Sequence, residues 1–411
     1  MEAGKVVVIG GGAAGFFSAV NIAEMYPGCT VMLLEKTGKL LSKVRVSGGG
    51  RCNVTHSCFD NKQLVKNYPR GEKELLSVFS RFSTNDTIDW FEKRGVKLKT
   101  EDDGRIFPVS DSSETIIHCL LKEAEKNKVK IVEHVSIEKI IKVNDTFTLH
   151  AVGGGTFTCE RLVIATGGNS KEEAYRWLAD LGHTIIKPIP SLFTFNISDK
   201  ELNDLMGVSV PDAKVRIAGT GLETQGPVLI THWGLSGPAV LKASAWGAKQ
   251  LNEKNYEFTA LISWLPKFNE EKLKIEFENE RSDNASKSVV SNCPFELPKR
   301  LWEYLCAKAA ISPSTRWADF SKKSSNVLIA SLVNDEYKVK SKTTFKEEFV
   351  TCGGIHLKEI DMATMESKVV AGLFFAGEVI NVDGITGGFN FQNAWSTSWV
   401  GANNLFSKNR N

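Results

Sequence analysis

Gly10-Gly11-Gly12-Ala13-Ala14-Gly15 fits G-x-G-x-x-G, a spacing that lets backbone wrap a pyrophosphate. The string follows an apolar run, Lys5 to Ile9, and opens a helical stretch from about Ala13 to Met25 that Pro27-Gly28 stops. Thr30 to Leu34 then reads as a second strand, and Glu35 ends it about 20 residues beyond the last glycine, where an acidic side chain can accept bonds from both ribose hydroxyls. Gly10 permits the tight turn, Gly12 lets a phosphate approach, and Gly15 allows close helix–strand packing. Free N–H groups at the helix start, with a partial charge of about +0.5, would face that phosphate. Glu35 repels a 2′-phosphate and so argues against NADP; FAD and NAD both satisfy the motif.

Three further segments favour FAD. Ser47-Gly48-Gly49-Gly50-Arg51-Cys52-Asn53 lets backbone lie against a flat ring or a phosphate. Ala165-Thr166-Gly167-Gly168 closes a strand after a β-meander, which a plain NAD-type domain does not need. Leu373 to Glu378 reads as a strand and turn, with Gly377 and Glu378 at its end, followed by Asp383-Gly384 and Gly387-Gly388. Phe389 to Leu405 then reads as a helix whose first N–H groups, from Gly388, Phe389 and Asn390, would stabilise the charge a flavin gains on reduction by roughly 0.3–2 kcal/mol. Lys36, Lys43 and Val135 complete the candidate cofactor set. The aromatic residues Phe389, Phe391, Trp395 and Trp399 read mostly as core.

Catalytic groups stand out less. His232, in Thr231-His232-Trp233-Gly234, is the best lone histidine, though a structural role is the plainer reading. Arg51 and Cys52 are weak candidates. Cys52 and Cys58 suggest a flavin disulfide reductase, but five residues separate them where such pairs have four, and a second G-x-G-x-x-G is missing. NAD(P)H as electron donor therefore has no residue pattern behind it.

The elements that must position these groups form strand, glycine turn, helix, strand at the start, a βαβ unit of an α/β fold. A helix over 112–127, a strand at 129–132, a meander from Ile137 to Cys159 and a strand Leu162 to Ala165 follow. Beyond Pro188, strands near 213–218, 227–231 and 256–262 give way to a helical stretch at 264–335 and short strands near 336–350. The expected organisation is a split Rossmann-type FAD-binding domain (1–190 and 350–411) with an inserted β-rich substrate domain (191–263 and 336–349) and a nested helical domain (264–335).

A length of 411 residues suits such a multi-domain chain. The net charge of +3 is close to balance, and Glu270, Glu271, Glu276, Glu278 and Glu280 interleave with the lysines of the helical stretch, so no nucleic-acid partner is expected. Eight scattered cysteines without a C-x-x-C pair read as reduced thiols, with neither disulfide framework nor metal site. No apolar run approaches a membrane span and no leader precedes the first strand, so a cytoplasmic enzyme with a small-molecule substrate is expected; the Asn53-Val54-Thr55 sequon then has no glycosylation route.

The chain resembles the HI0933-like flavoproteins, a branch of the two-dinucleotide-binding-domain flavoproteins. The matching blocks are Val8 to Gly15; Lys43 with Ser47 to Asn53; Thr231 to Pro238; Cys352-Gly353-Gly354-Ile355; and Phe375 to Glu378 with Asp383 to Asn390. The resemblance implies FAD, a split FAD domain and a β-rich second domain holding a small helical one. Members act in amine oxidation of the aminoacetone oxidase type and in reduction of conjugated steroid enones, as in the bile-acid reductase BaiN. Related flavoproteins act on tRNA, so a flavin-containing RNA-modifying or RNA-binding factor is a further alternative, as is a non-catalytic flavin sensor. Asn393 and Ser398 depart from the family's usual Trp and Gly.

Overall fold

β1 (Lys5–Ile9), α1 (Ala13–Met25) and β2 (Thr30–Leu34) form the expected strand–helix–strand unit, with Val7 opposite Met32 in a parallel pair. Val6 to Ile9 are all buried, as a parallel strand covered on both faces requires. From Ala14 to Ala23 α1 is buried all round, the pattern of a helix enclosed on every side. The computed structural model describes residues 4–343 and 350–407. Two compact units divide the chain: residues 1–191 with 345–411, and residues 192–344.

In the first unit α2 (Ser42–Gly50) leads into a three-stranded sheet of β3 (Thr55–His56), β4 (Leu98–Thr100) and β5 (Arg105–Pro108), in the order β3-β5-β4. A helix, Glu114–Lys126, precedes β6 (Lys130–Val132), which extends the main sheet beyond β2. β7 (Ile137–Val143), β8 (Thr146–Ala151) and β9 (Thr156–Cys159) make the expected meander, and β10 (Arg161–Ile164) flanks β1 on its other side. β11 (Ile185–Ser191) is the last strand before the chain enters the second unit.

That second unit is built on a closed barrel of β12 (Thr194–Ile197), β13 (Ser209–Ile217), β14 (Glu223–Thr231), β15 (Gly234–Ser236), β16 (Phe258–Ser263) and β17 (Asp335–Thr343), in the order β12-β15-β14-β13-β16-β17. The helices Glu270–Asp283, Lys299–Lys308 and Lys322–Asn334 bury Leu273, Phe277, Trp302 and Leu328 in the same apolar core as the barrel residues Val215, Ile230 and Ile262. Residues 344–349, at the end of the expected strands near 336–350, lie outside the described residues.

The chain re-enters the first unit through β18 (Val350–Ile355), antiparallel to β11. β19 (Ile360–Asp361), β20 (Glu366–Ser367) and β21 (Leu373–Phe375) complete a seven-stranded sheet, β19-β20-β21-β10-β1-β2-β6, whose last five strands are parallel. The C-terminal helix, Phe389–Asn404, packs along α1. Both ends of the chain therefore build one sheet-and-helix layer. Among the described residues no helix is long and apolar enough to cross a membrane.

Candidate functional site: a cradle built from both ends of the chain

Sterics close the first turn. A Cβ on Gly15 would lie 1.7 Å from the Gly10 carbonyl oxygen, and one on Gly10 (φ 116°) would lie 2.3 Å from the Ala165 carbonyl oxygen. No larger residue fits at either place. Gly12 is different: a Cβ there would meet nothing within 4 Å, so its bare backbone faces open space. Gly12 also caps α1 without a side-chain bond, and no acidic residue sits in the first turn beside Ala13 and Ala14. The positive end of the helix is left for an external anion.

Glu35 braces this turn from the side. Its carboxylate accepts from the Gly11 N–H (2.6 Å) and from the Thr37 N–H and hydroxyl (2.9 Å each). A carboxylate has about four acceptor positions. The arrangement therefore leaves room for one ribose hydroxyl, where the sequence suggested two. Val135 donates to the Glu35 carbonyl at 2.9 Å, and Lys36 is exposed.

The second block turns sharply. Gly48, Gly49 and Gly50 take φ of 58°, 69° and 85°, and Cys52 takes 63°. Ser47 is tied back to the Val44 carbonyl through its hydroxyl. The Arg51 guanidinium sits 4.0 Å over the Phe107 ring and pairs with Glu101 (2.6 Å) and Asp111 (3.5 Å). Glu101 first, then Asp111, hold it charged, but its charge already has acidic partners. Burial pushes the Cys52 thiol up to about 12 and raises Cys58 as well, which disfavours the thiolate a redox pair needs.

Asn53 joins this block to the other end of the chain. With its amide oxygen turned toward the C-terminal helix, it accepts from the Gly388 N–H at 2.9 Å and donates to the Thr55 carbonyl at 2.9 Å. The Gly388 N–H is thus occupied, contrary to expectation. The N–H groups of Phe389 and Asn390 meet no acceptor among the described residues, and no side chain caps this helix. Gly377 (φ 74°) lets its turn approach Ala14, where a Cβ would stand 2.8 Å from the alanine methyl. Glu378 pairs with Lys43 (2.8 Å) and accepts from the Thr351 N–H (2.8 Å). Gly168 packs on both, since a Cβ there would lie 2.3 Å from the Thr351 hydroxyl and 2.7 Å from Glu378. Gly167 (φ 69°) and the exposed Thr166 complete that turn after Ala165.

Asp383 is fully buried and bidentate with Arg70, and it accepts from the Ser191 hydroxyl at 2.7 Å. Asn390 clamps Gly384 through both amide atoms (2.8 and 2.9 Å), while its carbonyl neighbour Phe389 accepts from the Tyr68 hydroxyl (2.6 Å). Gly387 (φ 127°) and Gly388 (φ 90°) form the turn between them. Of the two family departures, Ser398 donates to the Ala14 carbonyl (2.8 Å), and the buried Asn393 side-chain oxygen meets no partner among the described residues.

The candidates from Gly10 to Asn390 thus lie in the first unit. His232 does not: it is exposed on the β14–β15 turn of the second unit, its ring against Trp233. Tyr68, Arg70, Ser191 and Thr351 were not marked by any spacing; each acts through a partner more than a hundred residues away or through a backbone contact that a one-dimensional pattern does not encode. No cluster of His, Cys, Asp or Glu among the described residues suits a metal. The bare Gly12 backbone and the two uncapped helix starts fit a dinucleotide that carries its negative charge at two places, as FAD does.

The comparisons agree. The family model described as HI0933-like protein Rossmann domain matches residues 4–404. The ribosomal RNA dihydrouridine synthase of Escherichia coli is 32% identical, with 99% of each chain covered. The 3-dehydro-bile acid delta(4,6)-reductase of Clostridium scindens is 27% identical over 96% of this chain and 97% of that one. A 3-ketosteroid delta1-dehydrogenase structure from Sterolibacterium denitrificans shares the fold at TM-score 0.52 and 12% identity, covering 98% of this chain and 99% of that one. The chain belongs to the HI0933-like family and is an FAD-dependent oxidoreductase.

Proposed function

We propose that this enzyme reduces a carbon–carbon double bond conjugated to a carbonyl, and that its substrate is a uracil ring of ribosomal RNA. The observation that carries the reading is the end-to-end likeness to the Escherichia coli protein named for dihydrouridine synthesis. The bile-acid reductase supports the wider class, because its substrate also carries double bonds conjugated to a ring ketone. Reducing a single such bond adds a hydride to the carbon β to the carbonyl and a proton to the α carbon, and the carbonyl oxygen bears the charge between. Reduced FAD would supply the hydride in such chemistry, its two electrons coming from an external donor of the NAD(P)H class.

The chain's own residues bind and polarise. The Gly10–Gly15 turn, Glu35 and the start of α1 hold the pyrophosphate and ribose. The Phe389 and Asn390 N–H groups stabilise the negative charge that reduction leaves on the cofactor. A near-balanced net charge limits how RNA is held: few phosphate contacts, with one base taken out of its stack and read by its edge and face.

Anaerobic mixing of the reduced holoenzyme with unmodified ribosomal RNA tests the proposal. The flavin absorbance should return, and nucleoside mass spectrometry should show uridine gaining two hydrogens. Reoxidation by a steroid enone but not by RNA would remove the RNA half of the reading. Reduction of the oxidised enzyme by small amines, with no enone reoxidising the reduced form, would remove the rest.

A further inference from the structure

The turn from Asp383 to Gly388 carries three glycines, Gly384, Gly387 and Gly388, and so has little stiffness of its own. Its position is set from outside, largely by one short segment, Asn67 to Arg70. The Asn67 carbonyl accepts from the Ile385 N–H at 2.9 Å, and the Tyr68 hydroxyl donates to the Phe389 carbonyl at 2.6 Å. Arg70 grips both oxygens of Asp383, and its second nitrogen also reaches the Ser191 hydroxyl at 3.2 Å. The next residue, Gly71, approaches so closely that a Cβ would stand 2.6 Å from Val382.

The Arg70–Asp383 pair is nearly sealed from water, with side-chain exposures of 10% and 0%. Removing two charges from water is costly, and apolar residues often stabilise such a place equally well. What apolar residues do not supply is a fixed direction: a planar fork on a carboxylate allows one orientation. The direction fixed here is that of the C-terminal helix start, six residues beyond Asp383.

We infer that Arg70 is a positioning residue for the flavin: through Asp383, and with Tyr68, it holds the Phe389 and Asn390 N–H groups where they set the flavin's reduction potential. The inference rests on the reading that this helix start meets the cofactor. Arg70 acts on the electronics of the cofactor through one intervening turn, and Tyr68 acts in the same direction through a single bond.

The test uses the FAD-loaded enzyme and two readouts that packing alone would not move: the flavin midpoint potential and the affinity of the flavin for sulfite, whose adduct needs positive charge near the pyrimidine edge. Arg70→Met should lower the potential and weaken sulfite binding about fivefold to tenfold, the order expected for displacing one helix end. Arg70→Lys should recover part of this, and Tyr68→Phe should shift both readouts less, in the same direction. If Arg70→Met does not retain FAD, the other two variants carry the test. A lower melting temperature with unchanged potential and sulfite affinity in those variants overturns the inference. Phe389→Pro, which deletes one of the N–H groups at the first helix position and must also turn Gly388 (ψ −6°) toward the extended conformation that proline requires before it, separates the two claims. A shift in Phe389→Pro alone leaves the helix start at the flavin and removes Arg70 from the account. No shift in any variant removes the placement of the helix itself, and the role of Arg70 with it.

Discussion

The two glycine turns of the cradle are closed by different means. The Gly10–Gly15 turn closes on itself: its glycines are required by backbone atoms within the turn and in the adjoining strand end at Ala165, and its brace, Glu35, stands at the end of the neighbouring strand. The Asp383–Gly388 turn is closed from afar, by Asn53, Tyr68 and Arg70, with Arg70 lying 313 residues from its partner. The first turn is rigid because of its own sequence. The second is rigid because of the fold, so its geometry can be tuned without touching the motif.

Substitutions can break that contrast. Gly15→Ala would set a methyl on the Gly10 carbonyl, an overlap that should cost more than about 3 kcal/mol and release the flavin. Flavin content after desalting and thermal melting check this; a yellow protein with the parent melting temperature would show that the turn has slack. Asp383→Ala comes next, because it strands a buried guanidinium, for about 3–5 kcal/mol. Urea unfolding should show that loss, and the double substitution Arg70→Met with Asp383→Leu should restore most of it. A cost below about 1 kcal/mol would mean that the second turn is closed from within like the first.

Legibility in the sequence followed the same division. The strand–turn–helix–strand start was readable because each glycine and Glu35 answers to a neighbour in the local pattern, and β1, α1 and β2 stand where the periodicity placed them. The C-terminal helix was readable from its own run of residues and the Gly387-Gly388 turn from its paired glycines, although what closes that turn lies elsewhere in the chain. The occupied Gly388 N–H and the pairing of Arg70 with Asp383 were not, because their partners carry no spacing signal. The barrel was half readable: β13, β14 and β16 alternate in burial, whereas β12 and β15 are too short to show a period and acquire their places only through barrel closure. The pairing of Arg51 with Glu101 and Asp111 was not readable either, because both partners are distant in the chain.

Two milder changes sharpen the contrast. Glu35→Ala removes the bonds to Gly11 and Thr37 without opening the core, so the chain should stay folded while FAD affinity drops by about 1–3 kcal/mol. Fluorescence titration of the apoprotein measures it, and unchanged affinity would mean that the turn needs no brace. Cys52→Ala should have the smallest effect, about 1 kcal/mol in stability and none on flavin turnover, since the buried thiol is held protonated. Loss of turnover with intact FAD would instead give Cys52 a redox role.

Everything above depends on one FAD being gripped by motifs from opposite ends of the chain. Equilibrium dialysis of FAD against the wild-type apoprotein and against Glu35→Ala and Asn390→Ala, one from each end of the chain, read by absorbance, tests this most directly. The account predicts a single tight site in the wild type and weaker binding in both variants, because each motif contributes to the same ligand. A wild-type protein that stays colourless in excess FAD, or binding that only one of the two changes affects, would contradict it.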